Sequence, residues 1–132
     1  ENLQVPAGST LVKVSRIIYT EQRPIAYLVD ILPPDILTEK DLSEGFTGSV
    51  LDFLQKKGEP RLKESFTDLN AVAAKPKIAK MLEAQRDDVL LLFTARLFDI
   101  DNRVIDYSLS YFLPGYFRFH VIRRLGNLPT GN

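Results

Sequence analysis

Three adjoining pieces decide the fold class. They are the run Val89-Leu90-Leu91-Leu92-Phe93-Thr94-Ala95-Arg96-Leu97-Phe98, the polar break Asp99-Ile100-Asp101-Asn102-Arg103, and the run Val104-Ile105-Asp106-Tyr107-Ser108-Leu109-Ser110-Tyr111-Phe112-Leu113. Both runs are rich in branched and aromatic residues, and the break between them is made of turn formers, so they predict two strands joined by a short turn. After Pro114-Gly115, residues 116–125 have the same character and predict a third strand, which would complete an antiparallel meander. Working toward the N-terminus, residues 11–19 and 25–32 flank the polar stretch Thr20-Glu21-Gln22-Arg23-Pro24 and predict a hairpin, which Pro33-Pro34 stops.

Between hairpin and meander the period changes. Thr38 followed by Asp41 has the spacing of a capping box. Ser49 can cap a helix running through Val50, Leu51, Phe53 and Leu54 to Lys57, with Gly58 as its C-terminal stop. Residues 62–72 return to a strand pattern, and Pro76 opens a short amphipathic helix carrying Ile78, Ala79, Met81 and Leu82. The predicted fold is α+β, with a single antiparallel sheet and a few helices.

The 132 residues are the length of one domain, so a single unit spanning 1–132 is expected. Seventeen basic residues balance seventeen acidic ones, and no basic run is longer than a pair such as Arg123-Arg124. Such a chain exerts no net pull on phosphate backbones, which argues against direct nucleic-acid binding. There is no cysteine, which excludes disulfides and thiolate chemistry and is compatible with the cytoplasm, the expected compartment. No apolar run approaches the ~20 residues of a membrane span, so no membrane association is expected. The chain opens at Glu1 without a methionine or a basic-then-apolar leader, and is expected to be a piece of a longer protein.

Catalytic signals are sparse. His120, among Phe119, Val121 and Ile122, is expected to be a packed or edge residue, because no triad partner or second metal ligand accompanies it. Asp99-Ile100-Asp101-Asn102 has the beginning of a calcium loop but lacks its glycine and bidentate glutamate, so a β-turn is the better reading. Neither a metal nor a cofactor is expected. Polar residues inside apolar strands say more. By the two-residue strand period Arg16 shares a face with Val12, Val14 and Ile18. Asp30 likewise shares one with Leu28 and Ala26, and Asp106 one with Ser108, Ser110 and Phe112. Turned inward, these faces would bury charges that need partners or a polar ligand. Turned outward, they would leave Tyr107, Leu109 and Tyr111 to the core, and a single strand cannot decide between the two.

Three segments together resemble the UTRA domain. Ser15-Arg16-Ile17-Ile18-Tyr19-Thr20-Glu21-Gln22-Arg23-Pro24-Ile25-Ala26-Tyr27, with Leu32-Pro33, is similar to that family's opening hairpin. Gly48-Ser49-Val50-Leu51-Asp52-Phe53-Leu54, followed by Asn70-Ala71-Val72-Ala73-Ala74, resembles its middle helix, strand and second helix. Val104 through Phe112 and Phe117-Arg118-Phe119 resemble its closing hairpin. The likeness runs from about Leu11 to Arg124, and the order and spacing of the segments make it specific.

That resemblance implies a chorismate lyase-like fold and a role as the effector-binding half of a GntR-type transcriptional regulator of the HutC branch. DNA would then be contacted only by a winged helix-turn-helix domain outside this chain, and the partners would be a small-molecule effector and a second copy of the chain. The strand expected at 116–125 would contribute to the homodimer. A lyase-like enzyme on the same fold is the alternative; only Asp30 and Asp106 offer acids on strand faces, and the non-enzymatic reading is preferred. In sensors of amino-sugar phosphates the family places an arginine on the first strand, a serine at the middle helix start and an acid on the closing hairpin. Arg16, Ser49 and Asp106 match those positions.

The chain also departs from the pattern. Where many relatives carry a polar Tyr-Arg-Gly-Asp-Arg-Tyr stretch, it reads Phe112-Leu113-Pro114-Gly115-Tyr116-Phe117. A second arginine of the family is Ile18 here, and a carboxylate of the second strand is Leu28. The expected pocket is therefore Arg16, Ser49, Asp106, Asp30 and Ser110 with Ile18, Leu28 and Phe112 on an apolar side. It would suit an anionic effector with an apolar body.

Overall fold

The computed structural model describes residues 7–43 and 48–126. Five strands form one antiparallel sheet: β1 (Val12–Thr20), β2 (Arg23–Leu32), β3 (Leu62–Ala73), β4 (Val89–Asp99) and β5 (Val104–Phe112). Their order across the sheet is β1-β2-β5-β4-β3. Three short helices accompany them: α1 (Glu39–Ser43), α2 (Val50–Lys57) and α3 (Pro76–Met81). The α+β prediction with a single antiparallel sheet holds. No helix among the described residues is long and apolar enough to cross a membrane.

Local chemistry explains most boundaries. Glu21 and Gln22 both take left-handed conformations (φ 48° and 67°), which close a two-residue turn whose twist matches the flanking strands. Thr20 therefore already faces Arg23, and the second strand begins two residues earlier than the proline suggested. Pro24 is accommodated because β5 ends at Phe112, opposite Ala26, so no ladder bond is asked of it on that side. The Thr38 box forms in both directions: Asp41 N–H donates to Thr38 Oγ1 (3.1 Å) and Thr38 N–H to Asp41 Oδ2 (3.0 Å). Ser49 caps α2 and receives the Asp52 N–H at 2.9 Å, while Gly58 ends the helix in a left-handed conformation (φ 75°) that favours glycine. The turn after β4 closes on itself, with Asn102 N–H on the Asp99 carbonyl at 3.0 Å. Asp99 Oδ1 takes the Asp101 and Arg103 N–H groups at 2.9 Å each, as the turn reading required.

Both faces are covered around the central strands, while β3 at the edge stays largely exposed, which answers the question one strand could not. α2 and the segment after β2 close one face over Val14, Leu32, Ile36, Leu37, Val50 and Leu54. α3 closes the other over Tyr27, Val29, Ala79, Leu82 and Leu90, with Leu109 and Tyr111 packed beside them. One predicted element is absent. Residues 116–125 form no strand. β5 is already bonded on both sides, to β2 and β4, so a strand following it has no edge of β5 to join. The meander is β3-β4-β5 instead. Phe117 and Phe119 still pack onto Phe112 at 4.7 and 5.1 Å between ring centroids, while Val121 and Ile122 stand 89% and 73% exposed. His120 is exposed on this segment, so it is not the packed or strand-edge residue expected.

Candidate functional site

The register of the three central strands assembles the site. Arg16 faces Leu28, and Leu28 faces Ser110, so one row across β1, β2 and β5 carries all three. The neighbouring row carries Val14, Asp30 and Ser108. Asp106 follows two residues further along β5 on the same face, diagonal to Asp30 at a spacing of about 7–8 Å that two carboxyl side chains can close. The N-terminus of α2 sits over these rows and brings Ser49 to them. The result is a cavity of about 200 Å³ lined by Arg16, Leu28, Asp30, Ser49, Asp106 and Ser110. Val50, Leu51, Leu97, Ser65 and Ser108 complete its wall.

Six of the eight predicted positions thus meet around one space. Ile18 and Phe112 do not line it. They share the row beyond Arg16, joined through Ala26, where Ile18 is partly exposed and Phe112 is committed to the ring cluster with Phe93, Phe117 and Phe119. Leu28, Leu97, Val50 and Leu51 form the apolar side in their place. Ser108 was visible in the alternation that exposed Asp106 and Ser110. Ser65 carried no signal, because β3 reaches the cavity only through its pairing with β4.

The charges are distributed unevenly. Arg16 Nη1 donates to the Gly48 carbonyl at 2.6 Å, tying the edge strand to the residue preceding the α2 cap. Its Nε is buried with no partner among the described residues. Asp30 and Asp106 are only 9% and 6% exposed. Burial pushes the Asp106 carboxyl far up, to about 10, helped by its hydrogen bond to Asp30 and the repulsion between the two groups and opposed by the Ile31 backbone N–H. The pair therefore holds a proton at neutral pH, as like-charged carboxyls in contact do. Asp106 Oδ1 remains buried without a hydrogen bond.

Arg16 and Asp106 do not form an ion pair with each other. The two lie two strands apart and four residues along the sheet, about 16 Å between Cα atoms at ordinary sheet spacings, beyond their combined reach. The ion pairs among the described residues are Arg103–Asp35 (2.7 Å) and Lys57–Asp41 (3.9 Å), both away from the cavity. A larger cleft, about 510 Å³, opens between β1 and α1 beside Thr10, Pro34 and Leu42, but no orphaned buried polar atom faces it.

Fold and cavity together define an α+β domain whose sheet and capped helix enclose a small charged space with one apolar wall. The chain belongs to the UTRA domain family, whose model matches residues 1–118. Solved structures of GntR-type regulators share the fold. The GntR-family transcriptional regulator of Enterococcus faecalis V583 is 23% identical, over 92% of this chain and 87% of that one, with a TM-score of 0.79. The C-terminal domain of YurK from Bacillus subtilis is also 23% identical, over 92% and 84%, at 0.79. The effector domain of PhnF from Mycobacterium smegmatis is 16% identical, over 94% and 76%, at 0.79. Comparison with curated proteins gives no match.

Proposed function

We propose that this domain senses a small effector for a bacterial GntR-type transcriptional regulator of the HutC branch, working in the cytoplasm as a homodimer. The observation that carries the reading is the Arg16 guanidinium. It lies half-buried in a cavity wall with an N–H to spare, next to Ser49 at a helix start, which suits an anionic group. Leu28, Leu97, Val50 and Leu51 suit an apolar body on the same molecule. The neutral balance of charge favours contact with operator DNA through a separate winged helix-turn-helix domain. Membership of the UTRA family favours the regulator over a lyase-like enzyme.

The switch follows from where the site sits. Arg16 holds the backbone at Gly48, so an anion drawn to the guanidinium bears on Gly48 and on the start of α2 that follows it. Signalling requires the effector to bind one arrangement of that roof better than another, since equal affinity shifts no equilibrium. The exposed apolar residues Val121, Ile122 and Leu125 offer a surface for the second copy. A melting-temperature screen with small carboxylates and phosphates tests the reading, because a compound at a hundred times its dissociation constant stabilises by about 2.7 kcal/mol. Stabilisation by an anion that also shifts NMR signals at Arg16 and Ser49 is expected. Binding that leaves both unchanged and maps to the cleft beside Pro34 would refute it.

A further inference from the structure

The face of the sheet turned away from Ser49 and Asp106 carries a second groove. Strand alternation puts Lys13, Ser15 and Ile17 of β1 on that face, beside Tyr27 of β2 and Leu109 and Tyr111 of β5. α3 packs over the same face and supplies Lys77, Ile78 and Met81. Two hollows result, of about 490 and 220 Å³. Both are lined by Lys13, Tyr27 and Lys77, so they are lobes of one groove that meet at those residues.

The polar lining is one-sided. Among the described residues no aspartate or glutamate borders either lobe. Lys13 and Lys77 are both exposed, and neither belongs to an ion pair among the described residues. Ser15 adds a hydroxyl in the larger lobe and Tyr111 one in the smaller. Burial, with Tyr107 and Tyr27 close by, raises the Tyr111 phenol above its ordinary value, so it stays protonated and can donate. Positive charge and donors with no carboxylate to answer them select an anion.

The floor adds the second half of the recognition. Tyr27 and Tyr111 are directly opposite each other in the ladder, with rings 6.3 Å apart and 26° from parallel. Tyr27 is buried and Tyr111 half-buried, so the ring pair is held in place while part of it stays open to the groove. Leu109, Ile78 and Met81 are half-buried around it. An aromatic ring gains from offset stacking and from a neighbouring thioether beyond what area alone provides. We propose that this groove is a second ligand site, for a small aromatic acid: the ring lies on the Tyr27–Tyr111 floor and the anionic group sits between Lys13 and Lys77. Bound there, the acid braces β1, the edge strand that carries Arg16, against α3.

The test titrates the domain with three matched probes, 3-phenylpropanoate, 3-cyclohexylpropanoate and 3-phenylpropanamide, followed by NMR. Arg16 borders both the groove and the effector cavity, so Lys77 and Tyr111 report on the groove and Ser49 and Asp106 on the cavity. The phenyl acid should shift Lys77 and Tyr111 and leave Ser49 and Asp106 in place. The saturated acid should bind about two- to tenfold more weakly, the worth of an aromatic pair beyond its buried area. The neutral amide should lose about fivefold for each lysine, the upper range of an exposed ion pair. Lys13→Gln with Lys77→Gln should bring the phenyl acid down to the level of the amide without lowering the melt, since neither lysine holds an ion pair. Equal binding of acid and amide, or of phenyl and cyclohexyl acids, would overturn the proposal. So would shifts confined to Ser49 and Asp106, which would place the acid in the effector cavity, and so would the absence of shifts with every probe.

Discussion

Asp106 on β5 and Asp30 on β2 hold each other's carboxyl groups in the wall of a cavity, diagonal across a strand pair rather than directly opposite. Because the empty pair keeps a proton in the fold, stability is linked to pH. The sign follows from Asp106, whose folded-state value lies above its ordinary 3.8. The unfolded chain releases that proton first, so the pair's contribution is complete in acid and is lost as pH rises toward about 10. Without ligand, the unfolding free energy from chemical denaturation should therefore fall from pH 5 to pH 9, by at most about 1.4 kcal/mol per pH unit. In Asp106→Asn that slope should flatten. An unchanged slope in the variant would show that the proton resides elsewhere.

Ser49 has two separable duties. Its hydroxyl caps α2 and also reaches the cavity wall. Ser49→Ala should cost about 1 kcal/mol of stability through the lost cap. Ser49→Asp restores a good cap but places a carboxylate where the anion is held. Its melting temperature should stay near wild type while binding of any anionic ligand weakens at least tenfold. Equal anion affinity in both proteins would remove Ser49 from the site.

The segment after Gly115 should matter for assembly. Val121, Ile122 and Leu125 are 89%, 73% and 65% exposed, too apolar a surface to face water without consequence. Sedimentation should show a dimer at micromolar concentration, and Val121→Asp with Ile122→Asp should shift it to monomer without lowering the melt of the domain itself. A monomer in the wild-type domain would contradict the proposed homodimer.

What could be read in advance was local. Ser49 and Gly58 announce the two ends of α2, and two-residue alternation places Arg16, Asp30, Asp106 and Ser110 on definite faces. What could not be read depends on which strand lies beside which. Residues 116–125 have the composition of a strand, but β5 offers them no edge because β2 and β4 already flank it. The same pairing of β2 with β5 joins Asp30 to Asp106, 76 positions apart in the chain, and keeps Arg16 away from Asp106. Phe112 looked like a pocket wall because its face was right; the aromatic rings of the following segment claim it instead.

The most direct test of the account is ligand binding by Arg16→Ala, read beside its melt. The guanidinium is half-buried, one N–H binds Gly48 and another has no partner, so its removal breaks no ion pair. The variant should stay folded and lose anion affinity by about 10- to 150-fold, the 1.5–3 kcal/mol of a hydrogen bond to a charged group. A variant that melts well below wild type yet binds the same anion equally tightly in its folded fraction would contradict the account, because Arg16 would then hold the roof in place without touching the ligand.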